Sequence, residues 1–487
     1  MLRDLLKEGG LYTLGSVLTS GLSLLLIPVY TAYFSPSEFG ILDIIAVYGG
    51  LFTAFVSLQL GQGLTRYVSD GTIDVAEKKI FASTAINFTI IFYLSFGAIV
   101  FFADTFFIRI ISSDVKISED LFDLAILTVL LNGIFYIQGL YFRSIRKIKQ
   151  FTLLAFIHAL SNILLTLLFV IGLDYGIIGV YYASIIVSPV LLFIQWALLR
   201  DKIEPVIKKK QLMLLLRFSI PLVPAGLSYW LLSYTDRIFI NEYLDSAQLG
   251  IYSTGAKFSA VVTLIISGFS MAIGPILYEK HHIESSNAEL ARVAKLYFAL
   301  GTFGVLMISI FSYETLVIFT NNQYYAAALI MPALYTAVLF SGIMMFAPGL
   351  NLNNRTITIA AVVVCSSILN IALNYFLIRK YGILGSAVST LISVAFNNIV
   401  LFVISNRYFK IKLPYLRIAL SMLLFVALMC FGCYIVPLIF PDFWHASLIK
   451  ILAGSIYAFV LIRTGLFDLA DIKKLKTVLL NGTKPKN

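Results

Sequence analysis

Six charged side chains stand inside or at the edge of long apolar runs, and they are the residues of this sequence best placed to do chemistry. Asp43 lies a few residues into one run. Arg66 ends the same run, within Gly63-Leu-Thr-Arg-Tyr67. Arg217 sits one turn into a later run, four residues before Pro221. Asp236 and Arg237 close that run, and Lys257 lies two turns into the next. An ionisable group in hydrocarbon is costly unless it faces a wet cavity or a partner. Arg66, Arg217, Arg237 and Lys257 are therefore expected to line one cationic cleft, with Asp43 and Asp236 among them. Such a cleft suits an anion, and phosphate groups pair best with Arg and Lys. For Arg66 and Arg217 the competing explanation is simple reach to the nearer interface. Lys450 opens the last apolar run and reads as an anchor of that kind. Tyr67, Tyr229, Trp230 and Tyr234 could stack on sugars, although aromatic belts at membrane interfaces are commoner.

Proline punctuates the same runs: Pro28 in the first, Pro221 and Pro224 in the seventh, Pro275 in the eighth. Proline removes a backbone hydrogen bond and kinks a helix. These four are expected to act as gate kinks, with static packing as the alternative. Other chemistries find no support. His158, His281, His282 and His445 form no ligand spacing, and no metallohydrolase, nucleophile-elbow, phosphate-loop or dinucleotide pattern occurs. No metal site and no catalytic residue is assigned, and the expectation is that the chain is not an enzyme. Cys365, Cys430 and Cys433 lie in apolar runs and read as buried, inert thiols.

The elements that must carry these residues follow from composition. The chain has 487 residues, 60% hydrophobic and 13% charged, with a mean hydropathy of +0.92. A soluble domain runs at about 45–50% apolar and about 25% charged. That excludes a cytosolic enzyme, a disordered chain and a disulfide scaffold. The expectation is an all-α polytopic membrane protein. Each span needs about 20 apolar residues, and the apolar runs give fourteen candidates. They are 9–34, 39–61, 80–103, 119–142, 151–173, 177–199, 212–234, 250–278, 293–319, 326–350, 358–378, 384–405, 416–438 and 446–463. No cleavable leader is recognised.

Lys and Arg collect on cytoplasmic loops. With the N-terminus inside, 28 of the 36 basic residues fall on inside segments and 5 on outside loops. Both termini are then cytoplasmic, and the net charge of +11 is accounted for by topology rather than by nucleic acid. MLRDLLKE at the start reads as an interfacial helix, and the basic tail after Arg463 as cytoplasmic.

The chain is also doubled. Phe34-Ser-Pro-Ser-Glu-Phe-Gly-Ile41 between the first two spans matches Leu244-Asp-Ser-Ala-Gln-Leu-Gly-Ile251 between the seventh and eighth. Tyr175-Gly-Ile-Ile-Gly179 matches Tyr381-Gly-Ile-Leu-Gly385. The offsets of 210 and 206 argue for two parallel six-helix lobes related by an axis along the membrane normal, as in many secondary transporters. The expected domains are 1–205 (spans one to six), 206–412 (spans seven to twelve) and 413–487 (an accessory pair and the tail).

These residues resemble a known family. Pro221-Leu-Val-Pro224, Ser233-Tyr-Thr-Asp-Arg237-Ile-Phe-Ile, Gly250-Ile-Tyr-Ser253 and Phe269-x-x-Ala272-x-x-Pro275, with Pro36-Ser-Glu-Phe-Gly40 and Gly63-Leu-Thr-Arg66-Tyr67, are similar to the Wzx-type O-antigen and capsule flippases. Those belong to the polysaccharide transporter family of the multidrug/oligosaccharidyl-lipid/polysaccharide exporter superfamily. The resemblance implies two six-helix lobes plus an accessory pair, with export of an undecaprenyl-diphosphate-linked oligosaccharide across the inner membrane. It also implies a polysaccharide polymerase and a chain-length regulator as partners, and no cofactor. Asp43 departs from pure anion binding; it pairs with Arg66 or Lys257, or takes part in H+ or Na+ coupling. A multidrug cation antiporter and a lipid II-type flippase of the same superfamily are the nearer alternatives. A membrane glycan polymerase or ligase is the alternative from another class, and it lacks a long outer loop to build its site.

Overall fold

The structure is a computed structural model that describes residues 15, 21–22, 24–111, 117–280, 284–353, 355–440 and 442–468; the side chains at 110, 271–272, 274–280, 284–286 and 443 lie outside the description. The expected interfacial helix at 1–8 and the basic tail lie outside it too, as do the side chain of Pro275, His281 and His282. Regular structure among the described residues is entirely helical. That is what hydrocarbon demands, because a helix satisfies its own backbone groups.

The helices are α1 (Leu24–Tyr33), α2 (Pro36–Val56), α3 (Leu60–Ser69), α4 (Val75–Phe102), α5 (Asp104–Ile111), α6 (Glu119–Ser144), α7 (Ile148–Leu167), α8 (Gly176–Leu199), α9 (Lys209–Ser219) and α10 (Val223–Tyr243). They continue as α11 (Ser246–Lys280), α12 (Glu284–Ile310), α13 (Ser312–Phe319), α14 (Met331–Ser341), α15 (Pro348–Leu352), α16 (Thr356–Ser405), α17 (Tyr415–Cys430), α18 (Val436–Ile439) and α19 (Phe443–Arg463). Among the described residues, eleven helical segments are long and apolar enough to cross a membrane, or twelve when a pair bent by 55° near Ile330 counts as one. The chain is thus a multi-pass membrane protein. The expected fourteen depends on two further readings. One divides α16, whose 50 residues would reach about 75 Å at 1.5 Å per residue, at Gly382 (φ 58°, ψ −141°). The other adds a first span of which most residues before α1 lie outside the description.

Contacts group the chain into two compact units that divide between Ser253 and Thr254. In the first, α9 and α10 pack on α2, α3 and α4, so by packing residues 209–253 join the first six spans. The connector between α8 and α9 is tied to α4. Asn87 Nδ2 donates to the carbonyls of Glu204 (2.7 Å) and Val206 (3.2 Å). Ser83 Oγ accepts from Glu204 N, Thr84 Oγ1 accepts from Lys208 N, and Lys79 pairs with Glu204 at 2.9 Å. In the same connector, partial burial and then the neighbouring Lys147 hold the Lys202 amine below the ordinary lysine range. Beneath the connector, Leu60, Leu64, Phe81, Ile86, Phe142 and Leu215 form a continuous core.

In the second unit, α12 carries α14, α17 and α19 on its surface. The two arms of α16 meet along a buried polar seam, with Ser366 Oγ donating to Asn397 Oδ1 and Ser386 Oγ to Asn374 Oδ1. Lys450 departs from its expected role. Its side chain is 3% exposed and its ammonium meets Glu314 Oε1 at 2.5 Å. It does not reach for the interface, because a carboxylate on α13 already satisfies it within the protein. The thiols depart as well. Cys365 and Cys430 are exposed, Cys433 is half-buried, and all three are free. An outward-facing position on a membrane-spanning helix meets hydrocarbon, so it needs no polar side chain.

Candidate functional site

The site is built where the repeated loops meet. Ser35 caps α2 with a full capping box: its side chain accepts from Glu38 N, and Glu38 Oε2 accepts from Ser35 N at 2.8 Å. At the equivalent place Asp245 caps α11, accepting from Gln248 N at 2.7 Å. The two caps are 210 residues apart, the offset of the repeat. The capped ends then cross at Gly40 and Gly250. A methyl group on Gly40 would strike the Ser246 carbonyl, and one on Gly250 would strike the Pro36 carbonyl. Only glycine permits this backbone approach at both positions. Ser37 Oγ and Ser246 Oγ hydrogen-bond at 2.5 Å across the crossing.

One turn further along, Asp43 Oδ2 accepts from Ser253 Oγ at 2.6 Å and from Arg237 Nε at 2.8 Å. Asp43 and Ser253 are again 210 apart. Residues that a repeat relates and that also touch must lie close to its axis. Arg237 Nη1 reaches Asp236 Oδ1 at 3.2 Å and the Ser233 carbonyl at 3.1 Å. Tyr252 donates its hydroxyl to Asp236 Oδ2 at 2.5 Å. The Tyr234 and Tyr252 rings lie 5.3 and 5.8 Å from the guanidinium. The Arg237 and Asp43 side chains are 14% and 12% exposed. Buried charge is tolerable only when paired and hydrogen-bonded, and here one guanidinium is held by two carboxylates.

From this network α2 and α3 run antiparallel to α10 and α9. Gly50 lies against Trp230, Gln59 against Gly226, and Gly63 against Ser219 and Leu215. Tyr67 donates its hydroxyl to the Leu214 carbonyl at 3.4 Å. Both arms break at one level. Leu58 and Gln59 take left-handed φ values of 47° and 54° between α2 and α3, a conformation that costs non-glycine residues roughly 1–2 kcal/mol each. Opposite them, a 3-10 turn over Ile220–Leu222 separates α9 from α10 at Pro221, and Pro224 opens α10. By contrast, α1 runs on through Pro28, whose carbonyl accepts from Thr31 Oγ1 at 3.3 Å.

The candidate residues thus fall into separate groups. Asp43, Asp236 and Arg237 form one network. Arg66 and Arg217 are exposed near the other end of the helix pair, where the Arg66 guanidinium lies 4.3 Å from the Phe218 ring. Lys257 is half-buried on α11, one turn after Ser253. Arg237, expected to face an anion, is already engaged by Asp43 and Asp236. Tyr252, Ser253, Ser37 and Ser246 lie within the repeat and family motifs but drew no site assignment, because hydroxyls carry no charge signal. Adding the repeat offset to Asp43 would have found Ser253.

Known proteins resemble this chain in sequence and in fold. A family described as polysaccharide biosynthesis protein matches residues 5–281, and the MatE family matches residues 221–376. The "Probable low-salt glycan biosynthesis flippase Agl15" of Haloferax volcanii is 25% identical over 46% of this chain and 48% of its own length. The "Lsg locus putative protein 1" of Haemophilus influenzae is 37% identical over 13% of this chain and 16% of its own length. The chain therefore spans about half the length of the first relative and less of the second. Among solved structures, "Lipid II flippase MurJ, inward closed conformation" superposes with a TM-score of 0.71 at 18% identity, over 93% of this chain and 97% of that one. An inward-facing multidrug resistance MATE family transporter of the MOP superfamily gives 0.63 at 15%, over 80% and 94%. At such identities the superpositions establish the fold. The family match covers more than half of the sequence, and the chain belongs to the polysaccharide biosynthesis protein family, within the superfamily that the sequence resembles.

Proposed function

We propose that this chain is a flippase that moves an undecaprenyl-diphosphate-linked oligosaccharide from the cytoplasmic to the outer leaflet of the bacterial inner membrane by alternating access. Both termini lie in the cytoplasm. The observation that carries this reading is the crossing of the two capped helix ends at Gly40 and Gly250. Two bare backbones meet there, pinned by a hydroxyl pair and one ion-pair network. In this reading the crossing is the outer gate. Arg66 and Arg217 receive the diphosphate from the inside, Lys257 acts on the same cargo, and Arg237 becomes available to it once Asp43 lets go. Asp43 and Asp236 take up H+ or Na+ as the gate opens. The breaks at Pro221–Pro224 and Leu58–Gln59 bend the paired helices, with Pro28 and Pro275 as further kink points. The name of the Haloferax relative supports a glycan-linked cargo. A polysaccharide polymerase and a chain-length regulator would act on the delivered product.

The test is export in cells that depend on this chain. Lys257→Ala and Arg66→Ala should each cut surface glycan tenfold or more while membrane levels of the protein hold. Lys257→Glu should do worse than Ala. Wild-type export by all three variants would contradict the proposed path.

A further inference from the structure

The first unit contains a cavity that the proposed gate does not use. It measures about 340 Å³, within the span of small-molecule sites (about 300–1,000 Å³). Its polar lining comes from α6, α7 and α8 (Thr128, Asn132, His158, Asn162, Thr166 and Ser184), and the rings of Tyr30 and Tyr181 also line it. No Asp, Glu, Lys or Arg is among the lining residues. A charged ligand would therefore find no counter-charge there.

The hydrogen bonds assign donors and acceptors. Ser188 gives its one hydroxyl proton to Asn132 Oδ1 at 3.0 Å. His158 Nε2, 3.1 Å from the same hydroxyl, must then be the donor in that contact. Nδ1 is left as the ring's acceptor, and the Phe135 ring, stacked at 4.5 Å, fixes the imidazole plane. Asn162 Nδ2 donates to the His158 carbonyl at 3.2 Å, which leaves its Oδ1 to accept. Its 3.5 Å approach to Nε2 is donor against donor and contributes nothing. Asn132 has spent its oxygen on Ser188 and keeps its amide hydrogens to donate. Thr128 Oγ1 is buried with no partner among the described residues. The accessible lining is mostly apolar, with Leu26, Ala159, Ile163 and Val180 beside these uncharged donors and acceptors, a mixture that suits a neutral sugar ring with its apolar faces and hydroxyl edges.

We infer that this cavity seats an uncharged sugar residue of the cargo. The inference rests on the glycan-export reading and adds a sugar subsite to it, separate from the basic residues assigned to the diphosphate. The test uses the full chain in lipid nanodiscs with two probes: undecaprenyl diphosphate alone, and the same lipid bearing a neutral N-acetylhexosamine disaccharide. The wild type should bind the glycosylated probe about tenfold more tightly. Asn132→Ala with Asn162→Ala should lose that increment and keep the affinity for the bare lipid. Ala159→Phe, which fills the cavity and leaves the hydrogen bonds alone, should do the same and replaces the double variant if that one does not fold. Equal affinity of the wild type for both probes, or an increment kept in the variants, overturns the subsite. Failure of the wild type to bind either lipid overturns the export reading on which it rests.

Discussion

Each compact unit contains a buried ion-pair site, Arg237 with Asp43 and Asp236 in one and Lys450 with Glu314 in the other, and the two are built differently. In the first unit Arg237 is shared by Asp43 and Asp236; Ser253 donates to the same Asp43 oxygen, and Tyr252 takes the other oxygen of Asp236. Its members come from α2, α10 and the start of α11, the helices that the repeated loops join. In the second unit Lys450 meets Glu314 alone, over the Phe311 ring, and Glu314 Oε2 has no hydrogen-bond partner among the described residues. The first is a network with spare partners that can exchange. The second is a one-to-one tie that holds α19 to α13. Burial and charge alone do not distinguish the proposed gate from a staple; the surrounding partners are what differ.

Substitutions that leave one charge stranded should separate the two most sharply. Arg237→Ala buries two carboxylates with no cation and should abolish glycan export. Lys450→Ala strands Glu314 and should cost stability of the same order, about 3–5 kcal/mol, while export per folded molecule stays near wild type. Thermal melting of the purified protein beside surface-glycan labelling reads both quantities. Export lost in proportion to folded protein in both variants would erase the distinction.

Replacing whole pairs by apolar residues gives the next contrast. Lys450→Met with Glu314→Leu should recover the melting temperature, since apolar packing often replaces a buried ion pair without loss. Arg237→Met with Asp43→Leu should recover folding but not export.

Glycine contacts offer a smaller comparison. Gly250→Ala meets a backbone carbonyl that cannot move aside, and should cut export severalfold. Gly454→Ala in the second unit meets only the Met307 sulfur, the end of a flexible side chain, and should be tolerated in the same labelling assay.

The smallest effect is expected at the cap of α19. Asp442 accepts from His445 N and Nδ1, and these bonds hold its carboxyl below the usual carboxylate range. A lowered value favours the charged form in the folded state, so the cap contributes above the ordinary Asp range and fades as acid takes the pH through it. Asp442→Ala should lower the melting temperature slightly at pH 7 and leave it unchanged in strong acid.

Much of this was legible in the sequence because hydrocarbon leaves few choices. Runs of about 20 apolar residues must be helices, and among the described residues the runs are helical, though fewer than fourteen separate spans result. The helix break at Pro221 followed from proline's missing hydrogen atom. The break at Leu58–Gln59 did not, because neither residue prefers a left-handed backbone and only the opposing arm explains it. Charge identified Asp43, Asp236 and Arg237 singly. It did not say that they meet each other, since a buried cation can be satisfied by substrate or by protein with one sequence signature. Lys450 shows the same ambiguity: position on a span end suggested the interface, whereas Glu314 lay 136 residues away. The repeat carried more than it was asked for. Its offset pairs Gly40 with Gly250 and Asp43 with Ser253, and those are the residues in contact.

The proposed function requires the crossing of α2 and α11 to open for cargo to pass. The Ser37 and Ser246 hydroxyls stand 2.5 Å apart across it, close to the reach of a disulfide. With Cys365, Cys430 and Cys433 replaced by alanine, Ser37→Cys with Ser246→Cys should form a bond on oxidation. Glycan export should then stop, and return when the bond is reduced. Full export by the quantitatively cross-linked protein would contradict the account.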